Sequence, residues 1–289
     1  MSQNSSRPVS RTFSEGVLRV LFGVFLAVVA IVLAVLPRPE PFAAAIIVMA
    51  LFGAREWHRM VRAPAQREIA DQDAIHIQTA ITCVAIAAAV IALMLRFAAP
   101  AFLLLAAGAV GAFVWAQKRG DNPLWHAGGV LYLGLPSLAL VGLRTFPAHG
   151  EWYVLGLFLI VWATDTGALV FGKLIGGAKI APKLSPGKTW AGTIGGSLCA
   201  ALIFAAFIGL LGFDVTLAAL YAFAFSVVAH GGDLFESLVK RRFGYKDSGG
   251  LIPGHGGVLD RMDSMFAASV VLALLVFGLQ FNPLFGGRV

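Results

Sequence analysis

Nine apolar stretches run through this chain, at about residues 17–36, 41–54, 77–95, 98–116, 127–143, 152–172, 191–212, 214–235 and 263–281. Each is near the roughly 20 residues needed to cross a bilayer as an α-helix, except the second, which is short enough to be re-entrant. The chain is too apolar for a soluble core with a tail: of 289 residues, 58% are hydrophobic and 13% charged, against about a quarter charged in soluble domains. The fold class expected is all-α, a polytopic membrane helix bundle of about nine transmembrane helices. Gly129, Gly134 and Pro136 inside one stretch are tolerable where helices pack closely. No internal repeat is evident.

The basic residues orient the bundle. With the N-terminus cytoplasmic and nine crossings, one side holds Arg7, Arg11, Arg55, Arg59, Arg62, Arg67, Lys118, Arg119, Lys173, Lys179, Lys183, Lys188, Lys240, Arg241, Arg242, Lys246 and Arg261. The other holds only Arg38, Arg96, Arg144 and Arg288, with Arg19 inside the first stretch. That asymmetry runs in the direction of the positive-inside rule. It predicts an integral inner-membrane protein with both glycine-rich polar loops, 173–190 and 236–262, in the cytoplasm. The formal charge of +7 then reads as cytoplasmic loops touching anionic lipid. No nucleic-acid module accompanies it. Cys83 and Cys199 lie in apolar runs and imply neither disulfide nor metal. Three parts are expected: a mobile cytoplasmic N-terminus at 1–14, N-terminal membrane helices at 15–150, and a C-terminal membrane catalytic region at 151–289. The first apolar run is too long for a typical signal-peptide core and reads as an uncleaved span.

Three acids lie within or at the ends of spans: Asp165, Asp233 and Glu236. A charge at membrane depth costs several kcal/mol unless paired or hydrated, so each is a functional candidate beside the alternatives of a buried ion pair or a proton relay. His230 is a weaker candidate, since a lone histidine beside glycines serves packing or hydrogen bonding as readily. The first loop ends "SPGKTW". A phosphate-binding P-loop would need glycine where Pro182 stands, and no preceding strand is expected, so that reading is rejected. What remains is Ser185, Lys188 and Thr189 before a helix starting near Trp190, a combination suited to an anionic phosphate or simply to a capped basic loop.

The second loop carries more chemistry. Lys240, Arg241, Arg242 and Lys246 precede "LDRMD", in which Asp260 and Asp263 flank Arg261. Three residues apart at a helix start, the two carboxylates share a face. With bases nearby they suit Mg²⁺ and a polyphosphate, since magnesium takes one or two carboxylates and completes its shell with water and phosphate. The alternative is a pair of helix-start acids above a basic, lipid-touching loop.

Together these segments resemble the phosphatidate cytidylyltransferases, or CDP-diacylglycerol synthases. Their signature is met at Ser237, Lys240, Arg241, Lys246, Asp247, Gly249, Pro253, His255, Gly256, Gly257, Asp260, Arg261 and Asp263. The upstream "DTGALVFG" and "SPGKTW" extend the resemblance over about residues 160–270. One departure is Ala191, where many members have glutamate, so no role of that glutamate carries over. The resemblance implies transfer of a cytidylyl group from CTP to phosphatidate, giving CDP-diacylglycerol and pyrophosphate, with Mg²⁺ as cofactor. The implied metal ligands are Asp233, Asp260 and Asp263, with Asp165 a more distant or lipid-side partner. Lys240, Arg241, Lys246 and Arg261 would neutralise triphosphate. Ser185, Lys188 and Thr189 would orient a phosphate. Ser237, Asp247, Gly256 and Gly257 complete the substrate-binding set, and His255 either positions phosphate or shapes the loop. A homodimer is left open. The rival readings are a CTP-dependent lipid-alcohol kinase and an ion-coupled transporter, the latter leaving the cytoplasmic signature unexplained.

Overall fold

The structure, a computed structural model, describes residues 10–64, 72–250, 256–282 and 287–288. The expectations for His255 and for residues 1–9 of the N-terminal segment lie outside the described residues. Nine long helices occur among those described, each on one of the nine apolar stretches. They are α1 (Ser10–Val35), α2 (Glu40–Met60), α3 (Gln72–Met94), α4 (Ala98–Lys118), α5 (Pro123–Thr145), α6 (Gly150–Leu174), α7 (Trp190–Leu210), α8 (Val215–Arg242) and α9 (Leu259–Ala273). A π-helical turn, Leu274–Gly278, extends α9. Seven of them, α3 to α9, are long and apolar enough to cross a membrane, and the protein is an integral membrane protein built as a helix bundle. Helix α2 outruns its apolar stretch: its polar tail Arg55, Glu56, Trp57, His58, Arg59 continues the helix to Met60.

Small residues set the closest packing. Helices α6 and α7 meet through Gly167, Gly192, Gly195 and Gly196, and a Cβ on Gly196 would stand 2.5 Å from the Thr164 carbonyl oxygen. Such backbone approach is how helices associate in lipid, where burial of apolar surface gives no net drive. Helices α2 and α5 interlock differently. The Trp57 indole lies over Gly129, stacks on Tyr132 at 4.8 Å between centroids and donates to the Trp125 carbonyl at 2.8 Å.

Two short antiparallel pairs interrupt the all-helical plan. One joins β1 (Lys179–Ala181) to β2 (Ser185–Thr189), and the other joins β3 (Phe281–Asn282) to β4 (Gly287–Arg288). The expectation that no strand precedes Trp190 is therefore corrected. Pro182 falls in the tight connection, and the three residues between the strands let the polar loop fold back as a hairpin instead of crossing open solvent. The P-loop reading still fails, because "GKT" lies within β2 itself and not in a loop after a strand. The hairpin delivers Thr189 as the cap of α7, its hydroxyl accepting from the Gly192 N–H at 3.0 Å.

A second polar knot ties α2, α3 and α5 together. His58 and His126 face each other at 2.8 Å between Nδ1 atoms. His58 Nε2 meets Thr82 Oγ1 at 2.7 Å, and His126 Nε2 lies 3.2 Å from Asp121 Oδ2. Asp121 Oδ1 accepts from the N–H groups of Ala63 at 2.7 Å and Asn122 at 2.8 Å. One assignment of protons has Thr82 donating to His58 and His58 to His126, whose Nε2 then faces the Asp121 carboxylate.

Candidate active site

The C-terminal part of α8 sets the site. Asp233, Glu236, Ser237 and Lys240 fall on one stripe of that helix by their three- and four-residue spacing. The first turn of α9 brings Asp260 and Asp263 opposite them, and the close approach is permitted by Gly232, whose Cβ position lies 2.5 Å from the Asp263 carbonyl oxygen. Lys240 Nζ bridges the two helices, at 2.9 Å from Glu236 Oε2 and 2.5 Å from Asp260 Oδ1. Glu236 is fully buried, so Lys240 supplies the countercharge that burial requires.

Asp260 is the organiser of the loop before α9. Its Oδ2 accepts from the Gly257 N–H at 2.8 Å, the Ser248 N–H at 3.0 Å and the Ser248 hydroxyl at 2.9 Å. With Lys240 on the other oxygen, the carboxylate is saturated by protein donors. Gly256, at φ +81°, makes the left-handed turn that this arrangement needs.

Asp233 and Asp263 are engaged differently. Lys188 of β2 forms an ion pair with Asp233, whose other oxygen lies 3.4 Å from the Ser237 hydroxyl. Asp263 accepts from its neighbour's N–H, Ser264, at 2.6 Å. Asp165 of α6 lies within electrostatic reach of both carboxylates and of Lys188 and Arg261. Three carboxylates thus converge near one lysine. Such a surplus of negative charge suits a divalent cation, and Asp233 with Asp263 supply the one or two carboxylates that magnesium uses. Among the described residues no group of three His, Cys, Asp or Glu is spaced to hold a metal by itself. Asp233 and Asp263 could at most give such an ion one or two carboxylates, and water and phosphate would have to complete its shell.

Beside the carboxylates lies an apolar cavity of about 470 Å³, with Leu131, Tyr132, Val228, Phe235 and Phe266 in its walls and Asp263 at its polar edge.

The sequence-predicted residues divide as follows. Asp233, Ser237, Lys240, Asp260, Asp263, Lys188 and Gly257 come together, with Asp165 and Arg261 at the margin and Thr189 as the cap of α7. Arg241 turns to the loops: Nε donates to the Leu184 carbonyl at 3.2 Å and a terminal nitrogen to the Tyr245 carbonyl at 3.2 Å, tying the hairpin to the end of α8. Ser185 is in register with Ala181 at the far end of β2. Lys246 and Asp247 are exposed, and among the described residues neither they nor Ser185 makes a hydrogen bond to the cluster. Glu236, a candidate as an acid in a span, joins the cluster through Lys240 four residues on. Glu56 carries no such signal in the sequence, standing among the bases of α2.

Helical membrane architecture, paired carboxylates and a basic hairpin define a helical membrane protein with a charged cluster between its helices. The comparisons with known proteins sharpen this class. Residues 17–279 match the Cytidylyltransferase family, and the chain belongs to that family. It is 44% identical over 164 residues to a phosphatidate cytidylyltransferase of Brucella suis biovar 1 (strain 1330), covering 55% of this chain and 58% of that protein. It is 41% identical over 150 residues to one of Staphylococcus haemolyticus (strain JCSC1435), covering 51% and 56% respectively. It is 37% identical over 166 residues to one of Rickettsia bellii (strain RML369-C), covering 55% and 71%. The chain thus spans somewhat more than half the length of the first two relatives.

Proposed function

We propose that this protein transfers a cytidylyl group from CTP to phosphatidate, forming CDP-diacylglycerol and pyrophosphate for phospholipid biosynthesis. It does so in the inner membrane with the site facing the cytoplasm, the N-terminus on the same side and nine helices crossing. The observation that carries this reading is the shared position of Asp263, which belongs both to the carboxylate cluster and to the edge of the apolar cavity. A lipid phosphate held beside Asp263 would leave its acyl chains in the cavity, while CTP enters from the basic hairpin. Family membership and the names of the relatives support the same substrates.

In the reaction a phosphatidate oxygen attacks the α-phosphorus of CTP in line, the bond to the β-phosphate breaks, and pyrophosphate leaves. No side-chain nucleophile is needed, because such transfers are accelerated by positioning and charge neutralisation. Magnesium on Asp233 and Asp263, once bound, would neutralise phosphate oxygens and lower the barrier to attack. Lys188 exchanges its Asp233 partner for a phosphate oxygen, and Arg261 adds positive charge at the entrance. Lys240 and Asp260 hold the loop that carries Gly256 and Gly257. Asp260, expected as a third metal ligand, takes this bracing part while Lys240 occupies it.

Purified protein incubated with CTP, Mg²⁺ and phosphatidate should release pyrophosphate and CDP-diacylglycerol in equal amounts. Release of CDP in place of pyrophosphate would make it a kinase, and no turnover would overturn the reading.

A further inference from the structure

Glu56 stands on α2, far in sequence from every signature residue, yet it is buried with 8% of its surface accessible. Its carboxylate reaches across to the loop before α9. Oε1 accepts from the Val258 N–H at 3.0 Å, and Oε2 accepts from the Leu259 N–H at 3.0 Å and lies 3.0 Å from the Ser248 hydroxyl oxygen. These two N–H groups are among the first-turn donors that a helix cannot satisfy itself. Val258, the residue before the first turn, has no side chain that could cap it. An acid from another helix therefore does what a local serine or aspartate would do, with its charge at the positive end of the α9 dipole.

Two glycines of the signature make room for it. A Cβ on Gly249 would stand 2.5 Å from Glu56 Oε1, and one on Gly257 2.5 Å from Glu56 Oε2. Ser248 then relays the contact: its hydroxyl lies 3.0 Å from Glu56 and 2.9 Å from Asp260. A continuous set of polar contacts thus runs from Glu56 through Ser248 and Asp260 to Lys240 and Glu236.

We propose that Glu56 is a positioning residue of the transfer site: from α2 it clamps Ser248 and the first turn of α9 at Val258 and Leu259, fixing where Asp260 and Asp263 stand. The proposal rests on the transferase reading for its effect on rate, but the clamp itself is independent of the substrate. Glu56 touches no reacting atom. Its loss lets the first turn of α9 fray, and misplacement of reacting groups by about 1 Å costs about 10²-fold in rate.

The test compares the full-length protein in detergent with Glu56→Ala and Glu56→Gln. Hydrogen–deuterium exchange should accelerate in Glu56→Ala over residues 246–262 and stay at the wild-type rate in α6 and α7. In the same variant kcat for CDP-diacylglycerol should fall about 10²-fold with KM for phosphatidate unchanged, the split expected of a group acting only on the transition-state geometry. Glu56→Gln keeps one acceptor oxygen at the same reach and should recover at least about tenfold over Glu56→Ala. Exchange unchanged over 246–262 overturns the clamp. Faster exchange with undiminished kcat overturns the positioning role, and so does acceleration spread over every helix, which would make Glu56 a residue of the general fold. A wild-type protein protected over 246–262 but making no CDP-diacylglycerol would sink the transferase reading and leave the clamp standing.

Discussion

Lys188 of β2 rests on the Asp233 carboxylate of α8, so the basic hairpin and the acidic helix neutralise each other across the site. A phosphate entering there would meet a lysine already delivered to a carboxylate proposed to hold magnesium. Lys188→Ala should reduce kcat/KM for CTP by about 10²–10³-fold, the loss typical of one donor aimed at developing charge. Lys188→Arg should recover only part of this, because a planar guanidinium replaces a compact ammonium. Initial rates against CTP concentration measure both, and near-normal Lys188→Ala kinetics would remove the hairpin from the mechanism.

The bridge from Lys240 to Glu236 and Asp260 makes a separate prediction about stability. Glu236 is fully buried, and deleting its partner leaves an uncompensated charge. Lys240→Met should destabilise the protein by about 3–5 kcal/mol, the usual cost of breaking a buried pair. Adding Glu236→Gln should return much of that loss, since the buried charge goes with it. Thermal unfolding in a single detergent compares the three proteins. Equal melting of the wild type and Lys240→Met would contradict the assignment.

Asp121 gives the protein an acid-sensitive tie. Burial pushes its carboxyl up, but His126 and the N–H groups of Ala63 and Asn122 together outweigh this and hold it below the usual range. A carboxyl depressed in the folded state adds stability above its unfolded pKa, about 3.9, and loses it as pH falls through the lower folded value. The stability gap between wild type and Asp121→Asn should therefore be constant above about pH 5 and close below about pH 4. Denaturant titrations across that window test it, and a gap that widens on acidification would reverse the sign.

The helices were legible because a bilayer imposes a length, and each apolar stretch of suitable length became a helix. The strong local signals also held, such as Thr189 before Trp190 and the shared face of Asp260 and Asp263. Other features depend on partners remote in sequence. Glu56 bonds to Ser248 and Leu259 across 192 and 203 residues, and nothing within its own helix distinguishes it from a surface acid. Helix α2 looked short because hydropathy ends at residue 54, while Glu56, Trp57 and His58 of its tail are buried by contacts with α5 and the start of α9. The direction of Arg241 was equally hidden, since its carbonyl partners at Leu184 and Tyr245 exist only once the hairpin has folded back.

Asp263 and Asp260 share a helix face, yet the structure gives them different work, and magnesium dependence separates them. Asp263 is held by the Ser264 N–H and by the neighbouring Glu236 side chain and lines the cavity, whereas both oxygens of Asp260 are occupied by Lys240, Ser248 and Gly257. Asp263→Asn removes a charged ligand and should raise the Mg²⁺ concentration for half-maximal transfer by at least about tenfold. Asp260→Asn keeps its shape but weakens the hold on Lys240 and the loop. It should lower kcat with little change in Mg²⁺ half-saturation, because its loss is one of position and not of metal affinity. Rates measured from micromolar to millimolar Mg²⁺ decide between them. Near-normal turnover of Asp263→Asn at limiting Mg²⁺ would dismiss Asp263 as a ligand, and a tenfold shift in Asp260→Asn would mean that Lys240 yields that carboxylate to the metal during turnover.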